Sequence, residues 1–247
     1  MSMSDFEAGV FLVDKPVGPS SFAMVRKVRK ILGMKKVGHA GTLDPFASGL
    51  LIICAGRPAT RMISRLMEGE KEYLATLTLG RETTTQDPEG EITVERVVDP
   101  LSKEVIAECL QGFTGVQEQI PPAYSALKHK GKPLYYYARQ GIEIKKEARQ
   151  VTIHLLERTD DGESLGGGLN ELKIRVVCSK GTYIRTLAAD IGRKLGCGAY
   201  LSELRRVRSG IFSVKHSFPG DEFSGENSRE RFLAGALSVN DVSNLLQ

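Results

Sequence analysis

The sequence predicts an α+β fold arranged around a mixed sheet. Short β segments outnumber the amphipathic helices between them, and no segment is repeated along the 247 residues. One unbroken apolar run, residues 50–55, is typical of a strand buried on both faces. The apolar content of 41% and the charged content of 26% exclude a disordered chain and a collagen-like one. The length predicts one sizeable core, or a main domain with a small appendage.

The first predicted strand covers residues 9–13 and is followed by a turn at residues 14–19. A helix then begins, capped by Ser20 or Ser21 and ended by Gly33. Its apolar face has helical spacing and consists of Val25, Val28, Ile31 and Leu32. Its opposite face is basic and carries Arg26, Lys27, Arg29 and Lys30, with Lys35 and Lys36 just beyond. This face is either merely solvated or contacts the phosphate backbone of a nucleic acid.

The other elements follow from alternation, helical spacing and glycine stops. Helices are predicted at residues 59–68 and 182–195. A further helix is predicted to begin at Asp99-Pro100, and its apolar face consists of Val105, Ile106, Leu110 and Phe113. The predicted strands run from Tyr73, with Tyr73, Ala75, Leu77 and Leu79 on one face, and over residues 151–156, 172–178 and 211–214. Residues 121–149 are predicted to be irregular, and the polar segment after Phe218 is too short for an independent domain.

The cysteines, histidines and charges exclude several classes of protein. The cysteines lie far apart without a C-x-x-C pair, which predicts reduced core thiols, a cytoplasmic location and no zinc site. The four histidines lack metal-ligand spacing, so no metal is expected. The N-terminus has no basic region, and the longest apolar run is far below the ~18 residues of a membrane helix. We therefore expect neither a secretory signal nor contact with a membrane.

The most informative loop is residues 38–49, which is rich in Gly, Asp, Pro and Ser and leads directly into the buried strand at residues 50–55. Its three glycines permit positive φ and a close approach of a ligand to the backbone. Asp44 therefore lies where sheets present reactive groups, although a loop aspartate more often forms a turn through its own backbone. The sequence contains no phosphate-binding loop and no nucleophile elbow, so no nucleotide cofactor is expected.

Two further segments carry arginines in unusual positions. Arg185 falls in the first turn of the predicted helix at residues 182–195, where the helix dipole disfavours a cation. It either points into solvent or has a buried anionic partner. Further along, strand alternation places Arg206 and Arg208, which follow Arg205, on one face. These arginines form a phosphate clamp, or the strand is an exposed edge.

Seven blocks of the sequence, in this order, resemble the bacterial tRNA pseudouridine synthase B (TruB) family. They cover nearly all of residues 9–214 and are DKPVGPSS (14–21), GHAGTLDPFASGLL (38–51), GEKEY (69–73), TTTQDPEG (83–90), QIPPAYSALKHKGKPLYYYAR (119–139), CSKGTYIRTLAADIG (178–192) and LGCGAYLSELRRVRSGIF (195–212). The resemblance implies the pseudouridine synthase fold, with a mixed, mainly antiparallel central sheet flanked by helices and loops. It also implies isomerisation of uridine to pseudouridine at position 55 in the T loop of tRNA, by base flipping and an aspartate nucleophile.

The resemblance assigns roles to the matching positions. Asp44 falls on the family's catalytic aspartate, and Tyr73 on the tyrosine that stacks on the target base. The substrate-binding positions that complete the set are Tyr183, an active-site tyrosine; Arg185, which pairs with the aspartate; Leu204, which lines the uracil pocket; His39, which takes the place of the flipped base; and Lys15, which with Pro16 buttresses the site.

The resemblance also implies how the chain is organised and what it binds. It implies a catalytic domain at residues 1–218, with an insertion at about 121–149 that closes on RNA, and a short tail at residues 219–247. Many members continue into an RNA-binding domain of the PUA type, whereas this sequence stops at Gln247, so we expect contacts concentrated on the T stem-loop. The isomerisation needs no redox change or energy input, so no cofactor is expected. We expect a monomer whose partner is tRNA.

The sequence departs from the family at GRPATR (56–61), where a proline replaces the usual residue and shifts the start of the next helix. One alternative function is a catalytically idle RNA-binding or tRNA-folding protein on the same scaffold. The retained aspartate, arginine and two tyrosines argue against it, because binding alone does not require them. A glycosidase with paired carboxylates is disfavoured, because neither Glu70 nor Glu72 has a convincing context.

Overall fold

A computed structural model describes residues 6–160, 162, 164–168 and 170–247. The chain divides into two compact units. The first unit takes the chain up to Glu72 together with Arg205–Gln247, and the second takes Tyr73–Leu204. Among the described residues, no helix is long and apolar enough to cross a membrane.

The elements follow in chain order. Up to the second unit they are β1 (Gly9–Lys15), α1 (Ser21–Leu32), β2 (Val37–Ala40), β3 (Ser48–Ala55), α2 (Arg57–Thr60) and α3 (Ile63–Leu66). They continue with β4 (Lys71–Leu79), β5 (Arg81–Thr83), β6 (Ile92–Glu95), β7 (Leu101–Ser102), α4 (Lys103–Gln111), β8 (Gly115–Gln119), β9 (Lys128–His129), β10 (Lys132–Pro133), α5 (Leu134–Ala138), β11 (Arg149–Arg158), β12 (Ser164–Leu165), β13 (Glu171–Cys178), α6 (Ile184–Lys194) and β14 (Ala199–Ser209). The last are β15 (Phe212–Ser213), β16 (Phe218–Pro219), α7 (Ser228–Ala234) and α8 (Val239–Leu245), with 3₁₀ turns at Val214–His216 and Glu222–Ser224.

The sheet of the first unit is mixed and mainly antiparallel. Strand β3 lies at its centre and pairs antiparallel with β1 along its whole length, from Gly9 opposite Ala55 to Lys15 opposite Gly49. Its C-terminal half also pairs antiparallel with β2, and its start pairs in parallel with β14. Strand β16 adds to β1 in parallel. The apolar run predicted as a doubly buried strand is therefore confirmed as the central strand of this unit.

Both faces of this sheet are covered. On one face, Leu12 and Ile52 pack with Met62 and Phe212; Val242 from the C-terminal segment joins this cluster. The opposite cluster consists of Phe11, Val13, Met24, Val25, Val28, Leu32, Val37, Leu51, Ile53, Ala55 and Phe232. In it the Phe232 ring stacks on Phe11, with ring centroids 4.2 Å apart. The segment after Phe218 therefore completes the core of the first unit on both faces.

The sheet strands of the second unit lie in the order β14, β4, β13, β11 and β8. Strand β11 pairs antiparallel with β13 on one side and with β8 on the other. The predicted inward faces are confirmed: Leu77, Leu79, Leu172, Ile174 and Val176 are all at most 1% exposed. Helix α6 begins after Tyr183 and buries Leu187, Ala188 and Ile191 as predicted.

Helix α1 matches its prediction, and its cap is resolved. Ser20 accepts a hydrogen bond from the Ala23 N–H, so Ser20 is the cap, and Gly33 ends the helix in the left-handed conformation. Ile31 was expected on the buried face but is only partly buried. Met24, which the prediction did not include, is buried in the core instead.

Two predicted helices are wrong in extent. Residues 59–68 form two short helices, because the Met62 N–H bonds the Ala59 carbonyl three residues back and tightens the chain there. The helix placed at Asp99-Pro100 begins at Lys103, because Ser102 caps it; Leu101 and Ser102 instead pair with β12. Its buried face is Ile106, Cys109 and Leu110, whereas Val105 is exposed.

Two other segments differ from their predictions. The prediction that residues 121–149 are irregular is wrong in part, because this segment contains the hairpin β9–β10 and helix α5. The Tyr137 hydroxyl donates to the His129 carbonyl and joins the hairpin to the helix. The last predicted strand, at residues 211–214, is limited to Phe212 and Ser213, because the chain then turns into a 3₁₀ helix.

Candidate active site

The loop that carries Asp44 connects β2 to β3 in the first unit, and its backbone is fixed on both sides of this residue. On one side, the Ser21 hydroxyl accepts from the Leu43 N–H at 2.8 Å and donates to the Leu43 carbonyl at 2.9 Å. On the other side, the Pro45 carbonyl accepts from the Gly18 N–H at 2.8 Å. Asp44 itself is half-buried. The fold therefore holds one carboxylate in a fixed loop at the start of the central strand.

Lys15 also helps to fix the backbone of the Asp44 loop. Its side chain is fully buried, and its ammonium group donates to the carbonyls of Pro16, Pro19 and Pro45 at 2.9, 2.8 and 3.2 Å. Three carbonyl acceptors match the three donors of an ammonium group, which offsets the cost of burying its charge. Lys15 thus ties the turn after β1 to the residue that follows Asp44.

Arg206 lies in a place that neither interpretation of its sequence pattern predicts. It is 2% exposed, its Nε donates to the Leu50 carbonyl at 2.7 Å, and its Nη2 donates to the Gly41 carbonyl at 3.1 Å. These two carbonyls bracket the Asp44 loop. The phosphate-clamp and exposed-edge interpretations are both wrong for Arg206, because β14 lies against β3 and directs this side chain beneath the loop.

The close approach of β14 explains a glycine in the loop. Gly49 lies opposite Arg206 with a φ of +101°, and a Cβ at Gly49 would stand 2.2 Å from the Arg206 carbonyl oxygen. Only glycine fits there. The neighbouring arginines are also paired: Arg205 with Asp14 at 2.6 Å, and Arg208 with Glu72 at 3.0 Å.

His39 lies on β2, just before the Asp44 loop, and is partly buried. Burial lowers its pKa, and the nearby positive charge of Arg206 lowers that pKa further. A histidine whose pKa lies below its ordinary value of 6.5 is neutral at pH 7. The first unit therefore places a neutral imidazole at the start of the loop that presents the carboxylate.

The other predicted site residues belong to the second unit. Tyr73 is on β4 and Leu204 on β14; each is 8% exposed. Tyr183 precedes helix α6, where its N–H donates to Gln119 Oε1 at 2.8 Å and its carbonyl accepts from Gln119 Nε2 at 3.0 Å. The Arg149 guanidinium lies 4.7 Å from the centroid of the Tyr183 ring. Gln119 and Arg149 thus orient Tyr183, and sequence spacing gave no signal for either.

Arg185 is buried with an anionic partner, so the interpretation that it points into solvent is wrong. Its Nη1 lies 3.1 Å from Asp87 Oδ2, and both side chains are at most 5% exposed. Its guanidinium also donates to the carbonyls of Thr85 and Tyr124 at 3.2 and 2.8 Å. A second Asp87 oxygen, Oδ1, accepts from the Glu89 N–H. The pairing of Arg185 with Asp44 stays a prediction.

The described residues were also compared with the side-chain groups that hold metal ions. Among them, no three His, Cys, Asp or Glu side chains are grouped as metal ligands would be. The four cysteines are buried free thiols, and burial raises the pKa of Cys54 to about 12. The chemistry available within each unit is thus that of a positioned carboxylate in the first and of an oriented tyrosine and arginine in the second.

Comparison with known proteins identifies the class to which this fold and these residues belong. The model of the TruB family pseudouridylate synthase N-terminal domain matches residues 29–184, and that of the tRNA pseudouridylate synthase B C-terminal domain matches residues 185–233. The chain belongs to the TruB family of pseudouridylate synthases. The resemblance drawn from the seven sequence blocks is confirmed.

Individual relatives agree. A tRNA pseudouridine synthase B of Desulfotalea psychrophila is 60% identical over 247 residues, the full length of both chains. One of Nitrosococcus oceani is 50% identical over 206 residues, which are 83% of this chain and 65% of the relative. A crystal structure of a Cbf5–Nop10–Gar1 complex contains a chain that is 29% identical with a TM-score of 0.68, covering 94% of this chain and 60% of that one. The predicted pseudouridine synthase fold, of the α+β class, is confirmed.

Proposed function

We propose that this enzyme isomerises uridine to pseudouridine at position 55 in the T loop of tRNA, with Asp44 as the nucleophile. The observation that carries the proposal is the Asp44 loop, whose backbone is anchored by Ser21, Lys15 and Arg206 around a single half-buried carboxylate. The tRNA substrate follows from the names of the relatives, two of which are called tRNA pseudouridine synthase B.

The reaction exchanges one bond between the uracil and the sugar for another and moves one proton. The N1–C1′ glycosidic bond breaks, the uracil turns, and C5 bonds to C1′; the proton on C5 is released, and N1 gains one. Asp44 attacks the nucleotide at the base or at the sugar to open this route, and the bond to Asp44 breaks again to release the carboxylate before the product leaves. An arginine beside the carboxylate keeps it ionised, which is the role we assign to Arg185. Asp87 then serves to hold Arg185 in place.

A stacked base must leave its stack before this chemistry can occur. We assign Tyr73 to stacking on the flipped uracil and Leu204 to the wall of its pocket, with Tyr183 beside it. We assign His39 to the place that the flipped base leaves in the T loop. A neutral imidazole suits this role, because a charged ring buried among the bases would cost free energy. We assign the insertion at residues 121–149, with its exposed Tyr135 and Tyr136, to closing on the bound RNA. The enzyme binds this RNA as a monomer.

A tritium-release assay tests the proposal. The substrate is a T stem-loop RNA with tritium at C5 of its uridines, so that isomerisation at one position releases one equivalent of tritium into water. We expect one equivalent per RNA, and none when the uridine at position 55 is replaced by cytidine. Tight binding without tritium release would instead indicate the catalytically idle RNA-binding protein, and release from the 55-cytidine RNA would place the target elsewhere.

The basic face of helix α1 gives a second, electrostatic prediction. Arg26, Lys27 and Lys30 are exposed on it, so we expect them to meet RNA phosphates. Each lost contact lowers the slope of log K against log salt by about 0.7–0.9, so the double variant Arg26→Gln, Lys30→Gln should lose about 1.4–1.8 in slope. Filter binding at several salt concentrations measures this slope. Lys103→Gln, an exposed charge on α4, is the control; a double variant that matches it shows that the face is merely solvated.

A further inference from the structure

Helix α1 exposes an aromatic ring that lies close to two guanidinium groups. Phe22 is 55% exposed. The Cζ atoms of Arg26 and Arg29 lie 5.9 and 5.5 Å from the centroid of its ring, within the distance of a cation–π contact. Arg29 is fixed in this position, because its Nη2 donates to the Val37 carbonyl at 3.0 Å. A single exposed Phe is ordinary, but a ring framed by two arginines has the composition of a nucleic-acid stacking surface.

The charge around this ring selects a polyanion. Residues 15–43 contain seven of the 34 Lys and Arg residues and none of the 30 Asp and Glu residues of the chain. Lys30 and Lys36 are exposed within this stretch. An apolar ring in a stretch of the chain whose charged residues are all basic is complementary to a base flanked by phosphates, and such a stretch does not attract a protein surface that lacks acidic groups.

The position of Phe22 relative to the candidate nucleophile is fixed within the first unit. Ser21, its neighbour in the chain, bonds both backbone polar groups of Leu43, and Leu43 precedes Asp44. Phe22 therefore directly follows the residue that anchors the Asp44 loop. An RNA that delivers a uridine to Asp44 extends over the adjoining surface, so its neighbouring nucleotides are within reach of Phe22.

We propose that Phe22, Arg26 and Arg29, here termed the Phe22 platform, stack one unpaired base of the bound RNA other than the target uridine. This inference rests on the proposed function, because it takes the substrate RNA as the occupant. The base covers the exposed face of the ring, the guanidiniums of Arg26 and Arg29 border it, and Lys30 meets an adjacent phosphate. The platform thus supplies binding that does not depend on the base reaching Asp44.

The absence of tryptophan from the chain makes a direct test possible. Phe22→Trp introduces the single tryptophan of the chain at the platform. We expect its emission to be quenched and shielded from acrylamide when a T stem-loop RNA binds, while a blunt RNA duplex of equal length, which has no unpaired base, leaves it accessible. Fluorescence anisotropy of end-labelled RNA confirms that each RNA is bound. A tryptophan that stays equally accessible with bound stem-loop overturns the proposal.

Affinity provides the second readout. Phe22→Ala should weaken stem-loop binding by about five- to hundredfold, the usual effect of losing one base–aromatic stack, and Phe22→Trp should restore it. Leu245→Ala, which removes a side chain 57% exposed on α8 of the same unit, is the matched control and should leave affinity unchanged. Equal affinities for Phe22→Ala and Leu245→Ala overturn the proposal.

The same measurements separate this inference from the proposed function. If the unmodified chain releases tritium from the stem-loop but Phe22→Trp reports no contact, the platform fails and the function stands. If RNA binds and shields the tryptophan without tritium release, the platform stands and the function fails. Shielding by anionic phospholipid vesicles but not by RNA identifies a membrane as the occupant and overturns the proposal.

Discussion

Replacement of Asp44 by asparagine is expected to lower pseudouridine formation by about 10⁴-fold or more, while RNA binding changes by less than about threefold. The amide keeps the size and shape of the side chain, but it exchanges one acceptor oxygen for an N–H donor and is not a nucleophile at neutral pH. Ser21, Lys15 and Arg206 fix the backbone of the loop through hydrogen bonds to its carbonyl and N–H groups. The variant should therefore fold normally.

Single-turnover tritium release measures the chemical step in this variant, and filter binding measures its affinity. Asp221→Asn is the matched control, since Asp221 is an exposed aspartate of the same unit and the chemical change is identical. The control should retain full activity. Activity of a purified Asp44→Asn protein within tenfold of the control would assign the nucleophile to another residue.

Local patterns were sufficient to predict most of the fold, because its main elements are marked by their own residues. Alternation identified the strands at β4, β11 and β13, and helical spacing with a terminal glycine identified α1. The prediction of the helix after Asp99-Pro100 failed because a contact remote in the sequence determines where that helix begins. Leu101 and Ser102 leave the predicted helix to pair with β12, more than sixty residues away in the chain, and no local signal at Asp99-Pro100 encodes that partner.

The candidate site shows the same division. The Asp44 loop is visible in the sequence because glycines and a proline concentrate around one acid before an apolar strand. Asp87 is not visible, because its partner Arg185 lies 98 residues further along. One signal for Arg206 was available: alternation puts it on the same strand face as Leu204, which is buried. The cluster of three arginines favoured an external role and concealed the position of the middle one.

Arg206→Met is expected to have the second largest effect. Loss of the guanidinium leaves the carbonyls of Gly41 and Leu50 without their donor, and unsatisfied buried groups of this kind cost about 2–5 kcal/mol of unfolding free energy. The loop is then free to shift, and a displacement of about 1 Å at a catalytic group lowers kcat by about 10²-fold. Thermal unfolding and single-turnover kinetics measure the two effects. Arg205→Met, which breaks a half-exposed pair with Asp14, should cost less than about 1 kcal/mol.

A loss of stability alone would not distinguish a general structural role from positioning of the loop, so His39 supplies the specific readout. The charge of Arg206 lowers the pKa of His39, so Arg206→Met should raise that pKa, whereas Arg206→Lys should keep it low because the charge remains. A lysine cannot span two carbonyls as the guanidinium fork does, so Arg206→Lys should still lose most of the kcat. NMR titration of His39 in folded protein tests both variants. An Arg206→Lys enzyme with unchanged kcat would show that a buried positive charge suffices and that the two hydrogen bonds do not position Asp44.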